Sequence, residues 1–308
     1  MKPALLIVQP HLGFLGPILE ADYTVWRFWE GPPIEAVDTI AALVVAGEFP
    51  LDKHLAESLP KLGLIACFTS GFDGVDLDWA SGRGLRVSHS PGVNHEDVAD
   101  HGLGLILAAW RKIVQGDRDL RAGAWKPTAK MVTTSLSGRR LGIVGLGAIG
   151  AAIGRRAEAF GLETAWWGPR EKPDAPWPRR ESLRALAEES DILVVACKAS
   201  PETTGLVTRE IIEALGSGGL LVNVSRGQVV DEDAVIAALK SGALGMAALD
   251  VFREEPTPPA RWADVPNVVL TPHTAGATSA AVPKMVALTR ENLRRFFAGE
   301  PLANPAKA

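Results

Sequence analysis

Four groups of residues along the 308-residue chain have types and spacings that could do chemistry together. The first is Gly145-Leu146-Gly147-Ala148-Ile149-Gly150, directly after the apolar run 141–144. The others are Arg226 in Asn223-Val224-Ser225-Arg226-Gly227, Glu255 in Asp250-Val251-Phe252-Arg253-Glu254-Glu255-Pro256, and His273 in Thr271-Pro272-His273. A glycine turn between strand and helix lets a pyrophosphate approach the backbone, and the helix N-terminus behind it offers free N–H groups and the positive end of a dipole. An arginine fork can hold a carboxylate and a neighbouring carbonyl oxygen without losing its charge. A histidine titrates near neutral pH and can protonate that oxygen. A carboxylate on its other ring nitrogen fixes the tautomer and favours the charged ring. Together these groups suit reduction of a 2-keto acid by a nicotinamide dinucleotide. Taken singly, the Arg reads as a surface residue, the His as a loop residue and the Glu254-Glu255 pair as solvated.

Such groups act only if one scaffold brings them together. Short apolar runs alternate with helical patterns along almost the whole chain, which predicts parallel α/β architecture. Strands are expected at 4–8, 24–28, 42–45, 63–68 and 85–88, and again at 141–145, 163–167, 191–196, 219–224, 244–250 and 267–271. Helical patterns fall at 51–59, 97–112, 149–160, 179–189, 231–241 and 282–297, and the proline-broken stretch 168–178 reads as a loop. The reading is two Rossmann-like domains with the active site in the cleft between them. Residues 1–95 with 284–308 would form a flavodoxin-like substrate domain, and 96–283 the dinucleotide domain. The last helix would cross back to the first domain. The helix at 97–112 is apolar on nearly all sides, so it is expected between domains or subunits.

With these motifs in this order, the chain resembles the D-isomer-specific 2-hydroxyacid dehydrogenases over essentially its full length. The resemblance rests on Gly145 to Gly150, on Asp191 to Val195 with Pro201-Glu202-Thr203, on Asn223 to Gly227, on Leu249 to Pro256 and on Thr271 to Gly276. Gly123-Ala124-Trp125-Lys126 makes it most similar to the NADPH-dependent glyoxylate/hydroxypyruvate and hydroxyphenylpyruvate reductases. The resemblance implies Arg226 as substrate anchor, His273 as proton donor and Glu255 as its partner. Backbone N–H groups of Ser70 and Gly71, in Thr69-Ser70-Gly71-Phe72-Asp73, would complete the carboxylate clamp, with Ala46 to Phe49 and Phe72 in the pocket wall. For the cofactor it implies Gly145, Gly147, Ala148, Ile149, Gly150, Gly168, Arg170, Cys197, Thr203, Val224, Ser225, Asp250, His273 and Gly276. Asp250 would hold the nicotinamide carboxamide, with capping of its own loop as the alternative. Ala148 departs from the pattern, since many relatives carry a basic or amide side chain there.

An NAD site usually carries an acidic residue after the second strand, about 20 residues beyond the glycine turn. Here Trp166-Trp167 runs into Gly168-Pro169-Arg170, with Lys172 nearby. A guanidinium there favours a 2′-phosphate, so NADP(H) is the preferred cofactor and NAD(H) the alternative, to which Glu171 leaves the ribose open. Two rival functions share the fold: a dinucleotide-sensing corepressor, and an NAD-dependent phosphoglycerate-type dehydrogenase. Both are disfavoured because little beyond the crossing helix follows His273.

The bulk properties narrow the class. A net charge of −4 gives no electrostatic reason to expect nucleic acid or an anionic membrane as partner. Cys67 and Cys197 lie far apart in apolar runs and read as buried thiols in a reducing compartment. The remaining histidines (His11, His54, His89, His95, His101) lack metal-ligand spacing and read as structural, so no metal is expected. Met1-Lys2-Pro3 opens onto an apolar run too short for a signal peptide, and the expected location is the cytoplasm. The apolar helix at 97–112 predicts a homodimer. The cofactor reading is checked by steady-state kinetics: kcat/KM is expected to be higher with NADPH than with NADH, and Arg170→Ala to hurt NADPH more. Equal losses, or a wild-type preference for NADH, count against it.

Overall fold

A computed structural model describes residues 2–31, 36–126 and 131–307; the opening Met1 lies outside them. The chain forms two compact units, Met1–Asn94 with Ser279–Ala308, and His95–Thr278. Each is a parallel sheet between helical layers.

In the first unit the chain runs β1 (Ala4–Ile7), α1 (Leu15–Leu19), β2 (Thr24–Arg27), β3 (Ile40–Val45), α2 (Lys53–Glu57), β4 (Leu64–Cys67), α3 (Leu77–Gly82) and β5 (Arg86–Ser88). The sheet order is β2-β1-β3-β4-β5. Successive residues of a strand point to opposite faces, and with both faces covered each strand is apolar throughout. Leu5, Ile7, Val44 and Leu64 pack on one side, and Leu6, Leu43, Val45 and Ile65 on the other. Asp52 and Asp76 begin α2 and α3 by accepting backbone N–H groups at the first turn.

The second unit continues as α4 (His95–Trp110), α5 (Ile113–Arg121), β6 (Arg140–Val144), α6 (Ala148–Ala159), β7 (Glu163–Trp167), α7 (Leu183–Glu188), β8 (Ile192–Val195), α8 (Arg209–Leu215), β9 (Leu220–Asn223), α9 (Glu232–Ser241), β10 (Met246–Leu249) and β11 (Val268–Leu270). Its sheet order, β11-β10-β9-β8-β6-β7, reverses direction between β6 and β8. Such a reversal opens a crevice at the carboxyl ends of the two strands. The chain then returns as α10 (Ala281–Phe297), whose Ala281, Met285 and Leu293 pack into the core of the first unit.

Three sequence expectations change. Helix α4 does not hold its apolar surface for a partner: Val98, Ala99, Leu103 and Ile106 are buried in the core of their own unit, with Ile143, Ile153, Val194 and Val222. A run of large exposed apolar side chains follows it instead, at Ile113, Leu120, Trp125, Met131 and Val132. The segment expected to start a helix at 179 instead runs beside β7, where Arg179 bridges Trp166 in parallel and Arg180 N–H donates to Trp166 O. The open edge of β7 offers unpaired backbone groups, and the helix waits for the Ser182 cap. In the loop before it, Trp177 reaches into the core of the unit. Finally, Cys197 is only partly buried, whereas burial and the charges of Glu48 and Asp73 push the Cys67 thiol up.

Ile106 is fully buried on α4, so Ile106→Ala should destabilise the protein by about 2–5 kcal/mol through lost contacts and a residual cavity. Denaturant unfolding checks this; a loss below about 1 kcal/mol would show that α4 is not a core element.

Candidate active site

The glycine turn sits at the carboxyl end of β6, beside the sheet reversal. Gly145 has φ +91°, a conformation in which L side chains are strained, and a Cβ there would lie 2.5 Å from the Cys197 backbone after β8. A Cβ on Gly150 would lie 2.3 Å from Gly145 O. A Cβ on Gly147 would meet nothing within 4 Å, so this residue faces open space. Gly147 is also the N-cap of α6, and no side chain caps that helix end. The N–H groups of Ala148, Ile149 and Gly150 therefore lack intrahelical acceptors, and the positive end of the helix dipole faces the same opening. An open backbone cradle with unspent donors and no acidic cap fits a dinucleotide pyrophosphate.

Gly168 follows β7, and its carbonyl accepts two bonds from Arg179, at 3.1 Å from Nε and 2.8 Å from Nη2. The Arg179 guanidinium also lies over the Trp166 ring. Arg170 is exposed two residues beyond Gly168. Lys172 donates through Nζ to Leu146 O, which ties this loop to the glycine turn. Thr203 spends its hydroxyl locally, donating to Lys198 O and accepting from Ser200 N–H at 2.8 Å. Cys197 lies against the turn, and its thiol is pushed up to about 11 by burial. It is a wall residue, since the reactive form of cysteine is the thiolate.

Arg226, Glu255 and His273 follow β9, β10 and β11 in turn, the edge half of the same sheet. Asn223 closes the first of these turns: its Oδ1 accepts from Ser225 N–H and Oγ–H, and its Nδ2 donates to Arg226 O. This leaves Val224 and Ser225 buried and Arg226 half-buried. Arg226 Nη1 donates to Ser225 O at 2.8 Å. A Cβ on Gly227 would fall 1.9 Å from the Phe252 carbonyl carbon, so glycine is required where the Arg226 turn meets the Glu255 loop.

Glu255 and His273 form one unit: His273 Nδ1 lies 2.6 Å from Glu255 Oε2, with the side chains 27% and 18% exposed. Glu255 Oε1 accepts from Phe252 N–H at 2.9 Å. Burial acts to raise the Glu255 carboxyl, but the bond and charge of His273, the Phe252 N–H and the Arg226 charge outweigh it and hold it below its usual range. By reciprocity the ionised carboxylate favours the imidazolium form of His273. The Glu255 loop is fastened from behind by Glu232, 5% exposed, which accepts from Arg253 N–H at 3.0 Å and Arg261 Nε at 2.6 Å. Glu232 was not legible in sequence, because an acidic residue at a helix start reads as solvated.

Asp250 is 1% exposed, and its carboxylate accepts backbone N–H groups of Thr274 and Ala275, both at 3.0 Å. The Asp250 carboxylate thus holds the loop that follows β11 and leads on to Gly276. In the first unit, Ser70 Oγ donates to Ser90 O at 2.6 Å, and His89 Nδ1 donates to Ser70 O at 2.9 Å. The loops 46–49 and 69–74 are stitched together by Gly47 N–H and Glu48 Oε2, both bonded to Thr69 Oγ1. Phe72 stacks edge-on against His89. Among the described residues no group of His, Cys, Asp and Glu is arranged to hold a metal, and no helix is long and apolar enough to cross a membrane.

Residues 103–275 match the family model described as D-isomer specific 2-hydroxyacid dehydrogenase, NAD binding domain. Hydroxyphenylpyruvate reductase of Plectranthus scutellarioides is 40% identical over 305 residues, covering 97% of each chain. A glyoxylate/hydroxypyruvate reductase A of Arabidopsis thaliana is 39% identical, again with 97% of each chain covered. Among solved structures, an NADPH-dependent glyoxylate/hydroxypyruvate reductase from Sinorhizobium meliloti, crystallised with NADP and malonate, superposes with a TM-score of 0.90 at 32% identity, covering 99% of this chain and 97% of that one. With the family model matching more than half of the chain and these relatives matching nearly all of it, the chain belongs to the D-isomer-specific 2-hydroxyacid dehydrogenase family.

Proposed function

We propose that this protein reduces a small 2-keto acid of the glyoxylate/hydroxypyruvate class to the D-2-hydroxy acid, with NADPH preferred over NADH. The observation that carries the reading is the 2.6 Å bond between His273 Nδ1 and Glu255 Oε2, in the same unit as an open dinucleotide cradle. Bound NADPH supplies the hydride to the keto carbon. His273, held charged by Glu255, gives its Nε2 proton to the keto oxygen as that oxygen gains negative charge, and neutral imidazole remains. Arg226 holds the substrate carboxylate and stabilises charge on the same oxygen. The unit Met1–Asn94 with Ser279–Ala308, a little wider at its C-terminal part than the sequence suggested, acts as the substrate domain, with the N–H groups of Ser70 and Gly71 as carboxylate donors, and His95–Thr278 acts as the cofactor domain. The N–H groups of α6 hold the pyrophosphate, and Arg170 meets the 2′-phosphate. Asp250 serves the nicotinamide end by shaping the 271–276 loop.

A homodimer is part of the proposal, built on the exposed apolar surface of Ile113, Leu120, Trp125, Met131 and Val132. A cytoplasmic setting is proposed from the two unpaired cysteines.

The decisive experiment is a panel of glyoxylate, hydroxypyruvate, phenylpyruvate and 2-ketogluconate, each with NADPH and NADH. Turnover of none would overturn the activity; a preference for NADH would overturn the cofactor assignment alone. His273→Ala should lower kcat by about 10²–10⁴-fold while NADPH binding by fluorescence titration stays intact. Near-normal turnover in that variant would remove His273 from the mechanism. Reduction consumes imidazolium, so its rate should fall as pH rises through the His273 pKa, and oxidation of the hydroxy acid should rise over the same range. Glu255→Gln removes the charge that favours imidazolium, so the reduction limb should move to lower pH. An unmoved limb would show that Glu255 does not set the His273 charge.

A further inference from the structure

The turn that carries His273 is held by a chain of donors that starts outside it. His273 has φ +51°, in the left-handed region that a residue with a Cβ enters only when its surroundings enforce it. Its N–H donates to Asp250 O at 2.8 Å and lies 3.0 Å from Thr271 O. The Asp250 side chain holds the residues on the far side of the turn, with Oδ1 accepting from Thr274 N–H and Oδ2 from Ala275 N–H. On the near side, Thr271 Oγ1 donates to Asp250 Oδ1 at 2.6 Å. That hydroxyl has a single hydrogen, and this contact uses it. His101 Nε2 stands 2.9 Å from the same hydroxyl oxygen and 3.4 Å from Asp250 Oδ1. With the hydroxyl hydrogen committed to Asp250, the His101 nitrogen must be the donor.

We propose that His101 is a positioning residue for His273: its Nε2–H fixes the Thr271 hydroxyl toward Asp250, and the carboxylate so held keeps the 271–275 turn in the conformation that aims the imidazole. The proposal rests on the reading of His273 as proton donor. His101 suits the task because it sits in the middle of α4, a helix buried against the sheet, so its imidazole projects from a rigid base. An apolar side chain there would leave the Thr271 hydroxyl free to rotate and Asp250 Oδ1 one bond poorer. The turn would then sample geometries in which the proton is not delivered, although the cofactor cradle at 145–150 is untouched.

The test measures reduction of glyoxylate by NADPH, with NADPH binding followed separately by fluorescence titration. His101→Leu should lower kcat about tenfold, with KM for glyoxylate and Kd for NADPH within about twofold of wild type. His101→Gln, whose amide can donate from nearly the same place, should recover most of the loss. Thr271→Val should match His101→Leu, and Thr271→Ser should stay near wild type. Because the two side chains act in series, the double variant His101→Leu/Thr271→Val should fall no further than the worse single variant. A kcat within about twofold of wild type for His101→Leu would overturn the proposal, as would a Gln variant no better than Leu, or losses that multiply in the double variant. If His101→Leu fails to fold by circular dichroism, the Thr271→Val and Thr271→Ser pair and His101→Gln decide by the same readings. His273→Ala separates the two levels: activity in that variant defeats the reading of the site, whereas its inactivity beside a normal His101→Leu defeats this proposal alone.

Discussion

The buried carboxylate of Asp250 is the constraint on which this end of the second unit depends. Taking an ionised group out of water costs several kcal/mol unless hydrogen bonds replace the lost solvent, as the Thr271 hydroxyl and the Thr274 and Ala275 N–H groups do here. The exchange runs both ways. The same bonds hold His273 in a left-handed conformation that costs a residue with a Cβ about 1–3 kcal/mol. One set of hydrogen bonds thus offsets both the strain at the histidine and the burial of the aspartate.

That arrangement is available because the sheet is parallel. Every β strand then delivers its following loop to one edge, so residues far apart in the chain arrive side by side. Arg226, Glu255 and His273 lie on three such loops, after adjacent strands β9, β10 and β11. The loops are not free to wander. Asn223 closes the first, Glu232 fastens the second through Arg253 and Arg261, and Asp250 holds the third. Gly227 lets the first two approach to a distance at which no Cβ fits. The result is a His–Glu pair in which the bond and charge of His273 help hold the Glu255 carboxyl below its usual range.

At the other half of the sheet the constraint is steric rather than electrostatic. Gly145 and Gly150 are needed because backbone of Cys197, just after β8, and of the turn itself occupies the space of their side chains, while Gly147 keeps a surface open. One motif therefore contains two kinds of glycine requirement. The loop after β7 adds cations around the same opening, and they are unequal: Arg179 and Lys172 bind backbone carbonyls, while Arg170 lies exposed.

Much of this was legible in the chain itself. Strands buried on both faces must be apolar throughout, so the runs around Leu141, Ile192 and Leu220 announce themselves, and the glycine turn, Arg226, Glu255 and His273 follow as polar residues at strand ends. Local sequence also determined the caps at Asp52, Asp76, Ser182 and Asp231, because capping is a contact between near neighbours. The short helices α1, α3 and α8 left too little periodicity to be read, and α5, which buries no residue, has no core-facing stripe to announce it. Only the tertiary structure decided what α4 packs against, that residue 179 would bridge β7 instead of opening a helix, and that Glu232 and His101 would stand behind the loops that carry Glu255 and His273. These are contacts between residues distant in sequence. An apolar helix face carries no record of which surface covers it, and a buried Glu or His looks the same in sequence as a solvated one.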